Sequence, residues 1–94
     1  TKAALNSLTQ SCALELADKG IRVNCVAPAL VSGVKASKQF AMLGELKTKQ
    51  LLEAHPLGMS APEDVANSVF FLLSDLSSNI TGSTLAVDGG YLAG

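Results

Sequence analysis

The sequence predicts an α/β chain with parallel strands, and three observations carry that expectation. Two short segments, 21–27 and 84–87, are rich in apolar and β-branched residues. Stretches with helical spacing of apolar residues precede and separate them, in the order helix, strand, helix, helix, strand, and strands that alternate with helices mark parallel architecture. The first strand segment, IRVNCVA, is nearly continuous in apolar character, as expected of a strand covered on both faces. The chain has 94 residues, 48% of them apolar and 16% charged, enough for one small unit. Two parallel strands cannot cover themselves, so the pattern predicts a portion of a larger sheet.

The first helix is predicted over Thr1–Asp18. Leu5, Leu8, Cys12 and Leu16 form one stripe, and Ser7, Ser11, Glu15 and Asp18 the polar side. Ala3, Ala13, Leu14 and Ala17 widen the apolar surface, which suggests packing on two sides. Gly20 is placed to cap the helix C-terminus, with Lys19 favourably near the dipole. The strand Ile21–Ala27 ends at Pro28, and a loop of small residues follows to about Lys35. A weaker helix is expected from about Lys38 to Glu53, with Gly44 inside it. A polar helix after a strand end suits a mobile lid.

His55-Pro56-Leu57-Gly58 breaks the pattern, and His55 reads as a loop residue. Ser60 and Glu63 have capping-box spacing ahead of a helix over about Pro62–Leu76. That helix carries Val65, Val69, Leu72, Leu73 and Leu76 on one face, with Phe71 off it. After a polar connection, Thr84–Val87 reads as the second strand, closed by a turn at Asp88-Gly89-Gly90.

Composition excludes several functions. Seven basic and eight acidic residues leave a net charge of −1, which argues against a nucleic-acid surface. Lys35, Lys38, Lys47 and Lys49 cluster near Glu45 and Glu53, as a solvated helix face does. No apolar run approaches the roughly 20 residues of a membrane span. One histidine and two cysteines cannot by themselves supply a four-ligand zinc site. Cys12 and Cys25, without C-x-x-C spacing, read as small buried apolar residues of a reducing, intracellular compartment.

Three segments together resemble the short-chain dehydrogenase/reductase family: TKAALNSLTQSCALELADKGIRVNCVAPALV (1–31), PLGMSAPEDVANSVFFLLSD (56–75) and NITGSTLAVDGG (79–90). Their order and spacing match the C-terminal part of that family, closest to its tropinone-reductase-like and 3-oxoacyl-carrier-protein-reductase-like members. The resemblance implies the C-terminal portion, residues 1–94, of a single NAD(P)-binding Rossmann-like domain with a doubly wound parallel sheet. Residues 32–54 would be its substrate-covering lid. It also implies hydride transfer between NAD or NADP and a small-molecule carbonyl or secondary alcohol, in a homodimer or homotetramer.

The family's active-site motif is a tyrosine followed four residues later by a lysine. Lys2 matches the lysine, and the tyrosine would stand two residues before Thr1. On a helix, i and i+4 share a face, so the ammonium would favour ionisation of a phenol whose free pKa is about 10. By composition alone Lys2 is an ordinary surface lysine. The resemblance makes it catalytic and a ligand of the nicotinamide ribose. Pro28, Ala29 and Val31 match the loop that approaches the nicotinamide beyond a strand end. Ala29 replaces the family's usual glycine, and Gly33 stands where a threonine is typical. Ser32, one position off, has a hydroxyl that Gly33 lacks. Asn24 reads as a tie between strand and loop rather than a substrate contact. The sequence leaves two other readings open: a non-catalytic module acting in subunit association, and an isomerase or epimerase on the same fold.

Overall fold

The pairing that organises the chain is between two four-residue strands, β1 (Cys25–Pro28) and β2 (Thr84–Val87), which form a two-stranded parallel sheet. In this computed structural model, which describes residues 2–93, four helices accompany them. They are α1 (Lys2–Leu16), α2 (Val34–Leu43), α3 (Glu45–Glu53) and α4 (Pro62–Leu73). Single 3-10 turns follow at Ala17–Lys19, Asp75–Ser77 and Tyr91–Ala93. The residues group into two compact units, Thr1–Ala27 with Asn67–Leu85, and Pro28–Ala66 with Ala86–Gly94. No helix among the described residues is long and apolar enough to cross a membrane.

In the first unit α1 stops at Leu16, tightens into the 3-10 turn and is closed by Gly20, whose N–H donates to Ala17 O at 3.0 Å. Thr1, the predicted first helical residue, lies outside the described residues. The buried side of α1 is not the predicted leucine stripe. Thr9 and Ala13 are buried, whereas Leu5 is 48% and Leu8 60% exposed. The reason is what packs there. Gly82 lies against Ala13, so close that a Cβ on the glycine would meet the alanine Cβ at 3.4 Å. Thr84 Oγ1 donates to Asn6 Oδ1 at 2.8 Å. Backbone approaching a helix this closely selects its small residues and leaves the leucines outside.

The first strand is shorter than the predicted Ile21–Ala27, because Arg22, Val23 and Asn24 spend their hydrogen bonds on the connection before β2. Val23 N–H donates to Thr81 Oγ1 (3.0 Å) and Val23 O accepts from Gly82 N–H (2.8 Å). Asn24 ties strand to loop as expected, donating from Nδ2 to Ile80 O (2.9 Å) and accepting from Ser83 N–H at Oδ1 (3.1 Å). The Arg22 guanidinium donates to Ser77 Oγ and Ile80 O, both at 3.1 Å, and to Ser74 O at 3.3 Å. Cys12 and Cys25 are free thiols, both half-buried.

Helix α4 ends at Leu73, three residues before the predicted Leu76. The last carbonyls of a helix need outside donors, and two serines provide them. Ser74 Oγ lies 2.7 Å from Phe71 O, and Ser77 Oγ lies 2.9 Å from both Phe71 O and Leu72 O. Of the predicted apolar face Leu72 is buried, while Leu73 is 78% and Leu76 84% exposed.

In the second unit the single helix expected over 38–53 is two. It starts earlier, at Val34, and breaks at Gly44, whose N–H donates to Phe40 O (3.2 Å) and whose carbonyl accepts from Thr48 N–H (3.1 Å). The Ser60–Glu63 capping box does not form. Ser60 is buried and its Oγ donates to Val87 O at 3.2 Å. The cap is made one residue later, by Asp64 Oδ2 accepting from Ala61 N–H at 2.8 Å. The turn predicted at 88–90 is present. Asp88 Oδ1 and Oδ2 accept from Gly90 N–H (3.0 Å) and Leu92 N–H (3.1 Å). Gly89 has φ +60°, and a Cβ there would stand 2.5 Å from Gly58 O, so only glycine fits.

The serine at the end of α4 generates a prediction. Ser77 is 1% exposed, and Ser77→Ala removes one acceptor from Arg22 and the donor to the α4 carbonyls. The expected loss is about 1–3 kcal/mol, read as a lower urea midpoint with an unchanged slope. An unchanged midpoint would show that this junction does not hold the unit.

Candidate nucleotide and substrate site

The second unit contains a cavity of about 530 Å³ just past the carboxyl end of β1, lined by the loop 28–33 and the first turns of α2 through Gln39. Two backbone hydrogen bonds hold this loop. Ser60 N–H donates to Leu30 O (2.9 Å) and Ser60 O accepts from Ser32 N–H (2.8 Å), making a parallel bridge between Val31 and Ser60. Leu30 is 6% exposed and anchors the loop, while Pro28 and Ala29 remain exposed and Val31 and Ser32 half-buried. Gly33 then turns the chain into α2 at φ +145°, with nothing within 4 Å of a built Cβ. Its carbonyl accepts from Ser37 N–H and Ser37 Oγ, both at 3.1 Å. A residue with a side chain rarely adopts that φ, so glycine suits this position.

Pro28, Ala29 and Val31, three of the four residues singled out from sequence, thus line one cavity. Lys2 belongs to the first unit, where it occupies the first turn of α1 and is exposed.

A second, smaller cavity of about 180 Å³ lies in the same unit, lined by Ala29, Leu30, Gln39, Leu51, His55 and Tyr91. His55 does sit in irregular backbone, as expected, but it is only 4% exposed. Its Nδ1 is 2.7 Å from Leu51 O. A carbonyl only accepts, so Nδ1 carries the proton. The ring stacks on Tyr91, with centroids 4.8 Å apart and planes 19° apart. The turn at Asp88 positions Tyr91, whose N–H donates to Asp88 O at 3.1 Å. Nε2 is buried and has no hydrogen-bond partner among the described residues, a state that costs about 1–3 kcal/mol. A lone histidine ahead of a proline carries no signal of this. Its stacking partner comes from the far end of the sequence.

These observations agree with known proteins. A family model described as enoyl-(acyl carrier protein) reductase matches residues 1–92. The L-xylulose reductase of Bos taurus is 47% identical over 94 residues, covering 99% of this chain and 38% of the relative. A solved oxidoreductase of the short-chain dehydrogenase/reductase family from Burkholderia thailandensis superposes with a TM-score of 0.84 at 39% identity, over 99% of this chain and 36% of that one. The NADP-bound structure of ElxO gives 0.82 at 34% identity, over 99% and 38%. The chain therefore spans under two-fifths of the length of these relatives. With residues 1–92 matched by that model, the chain belongs to the family it describes and, with it, to the short-chain dehydrogenases/reductases.

Proposed function

We propose that this chain is part of an oxidoreductase that transfers a hydride between NAD or NADP and a small carbonyl compound or secondary alcohol. The observation that carries the reading is the cavity past the end of β1, lined by Pro28, Ala29 and Val31. Its position obeys the rule that ligands of parallel sheets bind beyond the strands' carboxyl ends, and its volume lies in the usual range for ligand pockets. The fit to a nicotinamide rests on this open, mostly apolar loop surface with no side chain at Gly33 to fill it. When bound, the nicotinamide supplies or accepts the hydride. Pro28, Ala29 and Val31 form one wall against its ring and keep water from that face. Lys2 holds the ribose hydroxyls and favours the ionised form of a tyrosine that the family pattern places four residues before it.

Residues 32–54 act as the substrate-covering lid. They include α2 and α3, joined at Gly44, and α2 already lines the cavity with Val34, Lys35, Ala36 and Gln39. Subunit association is part of the same proposal, as a homodimer or homotetramer. Leu8 (60%), Leu14 (83%), Phe70 (75%) and Leu73 (78%) in the first unit are exposed large apolar side chains that such contacts, or further parts of the sheet, would cover.

The direct test is oxidation of NADH or NADPH by the protein at its natural length, followed by absorbance against a panel of ketones. Lys2→Met is expected to lower kcat by about 10²-fold or more without unfolding the protein. Failure to bind either nucleotide would overturn the reading. Gly33→Thr is expected to weaken nucleotide binding several-fold despite restoring the family's usual residue, because threonine resists φ +145°. Fluorescence titration checks this, and an unchanged Kd would mean that the position does not shape the site.

A further inference from the structure

Among the described residues, one buried side-chain polar atom lacks a hydrogen-bond partner, Nε2 of His55. Because Nδ1 donates to Leu51 O, the neutral ring keeps its lone pair at Nε2. His55 lines the smaller cavity, and three residues of that cavity, Ala29, Leu30 and Gln39, also line the larger one. A substrate in the larger cavity therefore has a neighbouring space whose walls are mainly apolar. Its polar features are an exposed amide at Gln39, the phenol of Tyr91 and the imidazole.

We propose that His55 is a specificity-determining residue that selects hydroxylated substrates. Its Nε2 accepts a hydrogen bond from a substrate hydroxyl remote from the reacting carbon, with Gln39 at the passage between the two cavities. This deepens the oxidoreductase reading and rests on it for the identity of the ligand as substrate. A lone pair pairs only with a donor, so a hydroxyl satisfies it, whereas a ketone, ether or hydrocarbon leaves it unpaired. Sites built to bond a hydroxyl reject the analogue that lacks it. Nε2 is closed from solvent, so a hydroxyl reaches it only by displacing the groups that close it from the cavity, while Tyr91 covers the face of the ring and leaves the in-plane lone pair free.

The test compares xylulose with cyclohexanone as substrates of the protein at its natural length. His55→Asn keeps a donor where Nδ1 stands and deletes the ε nitrogen, whereas His55→Gln restores an acceptor near the ε position. His55→Asn is expected to raise KM for xylulose by about 10-fold, the equivalent of roughly 1.4 kcal/mol. Its kcat stays near the parent's, because the contact lies away from the chemistry. Cyclohexanone kinetics stay unchanged, and His55→Gln recovers part of the loss. Equal losses on both substrates would make His55 a packing residue and overturn the proposal. A second readout is independent of turnover. On adding xylulose, the ¹⁵N resonance of Nε2 is expected to move upfield as the lone pair becomes engaged. If the parent reduces neither ketone, this resonance alone decides the subsite, a shift supporting it and no shift overturning it, while the oxidoreductase reading itself falls only if neither NADH nor NADPH binds.

Discussion

Two backbone hydrogen bonds, from Ser60 N–H to Leu30 O and from Ser32 N–H to Ser60 O, hold the loop on which the proposed chemistry depends. Beyond the last residue of a strand a chain has no sheet partner, and a loop of small residues has little side-chain packing to fix it. The short parallel bridge between Val31 and Ser60 supplies the missing partner. It leaves Pro28 and Ala29 exposed on one side while Leu30 anchors the other. Ser60 is held in turn by Val87 O at the end of β2. One serine thus binds the loop that lines the larger cavity to the strand that precedes the closing turn.

The same turn places one wall of the smaller cavity of the second unit. Asp88 accepts from Gly90 and Leu92, Gly89 O accepts from Leu57 N–H at 2.8 Å, and Tyr91 then meets the imidazole of His55. A buried histidine with one nitrogen committed and the other unpaired is an energetic cost that packing alone does not explain. It becomes intelligible if a ligand completes it. Strain and unpaired groups concentrate where a protein does work, and here the unpaired atom borders the space next to the expected nicotinamide face.

Local features of this chain were legible in the sequence because local rules govern them. The order of elements followed from apolar spacing, except that one expected helix is divided into α2 and α3. The turn at Asp88-Gly89-Gly90 and the tie made by Asn24 followed from the habits of those residue types. The membership itself was legible from three separated segments. Whatever depends on a distant partner was not. The buried side of α1 is set by Gly82 approaching Ala13, so the leucine stripe misled. Ser60 carries the right spacing for a capping box yet is claimed by the Val31 and Val87 segments, and Asp64 caps the helix instead. The first strand lost Arg22, Val23 and Asn24 to hydrogen bonds with the connection before β2. His55 gave no signal at all, because its environment is assembled from Leu51 and Tyr91.

The central claim is that a nicotinamide rests against the loop at the end of β1. Intermolecular NOEs measured on the protein at its natural length with bound NADPH or NADH test it most directly. The account predicts contacts from the nicotinamide ring protons to the methyl groups of Ala29 and Val31. A nucleotide that binds with its nicotinamide protons silent toward both methyls, while other protein groups respond, would contradict it.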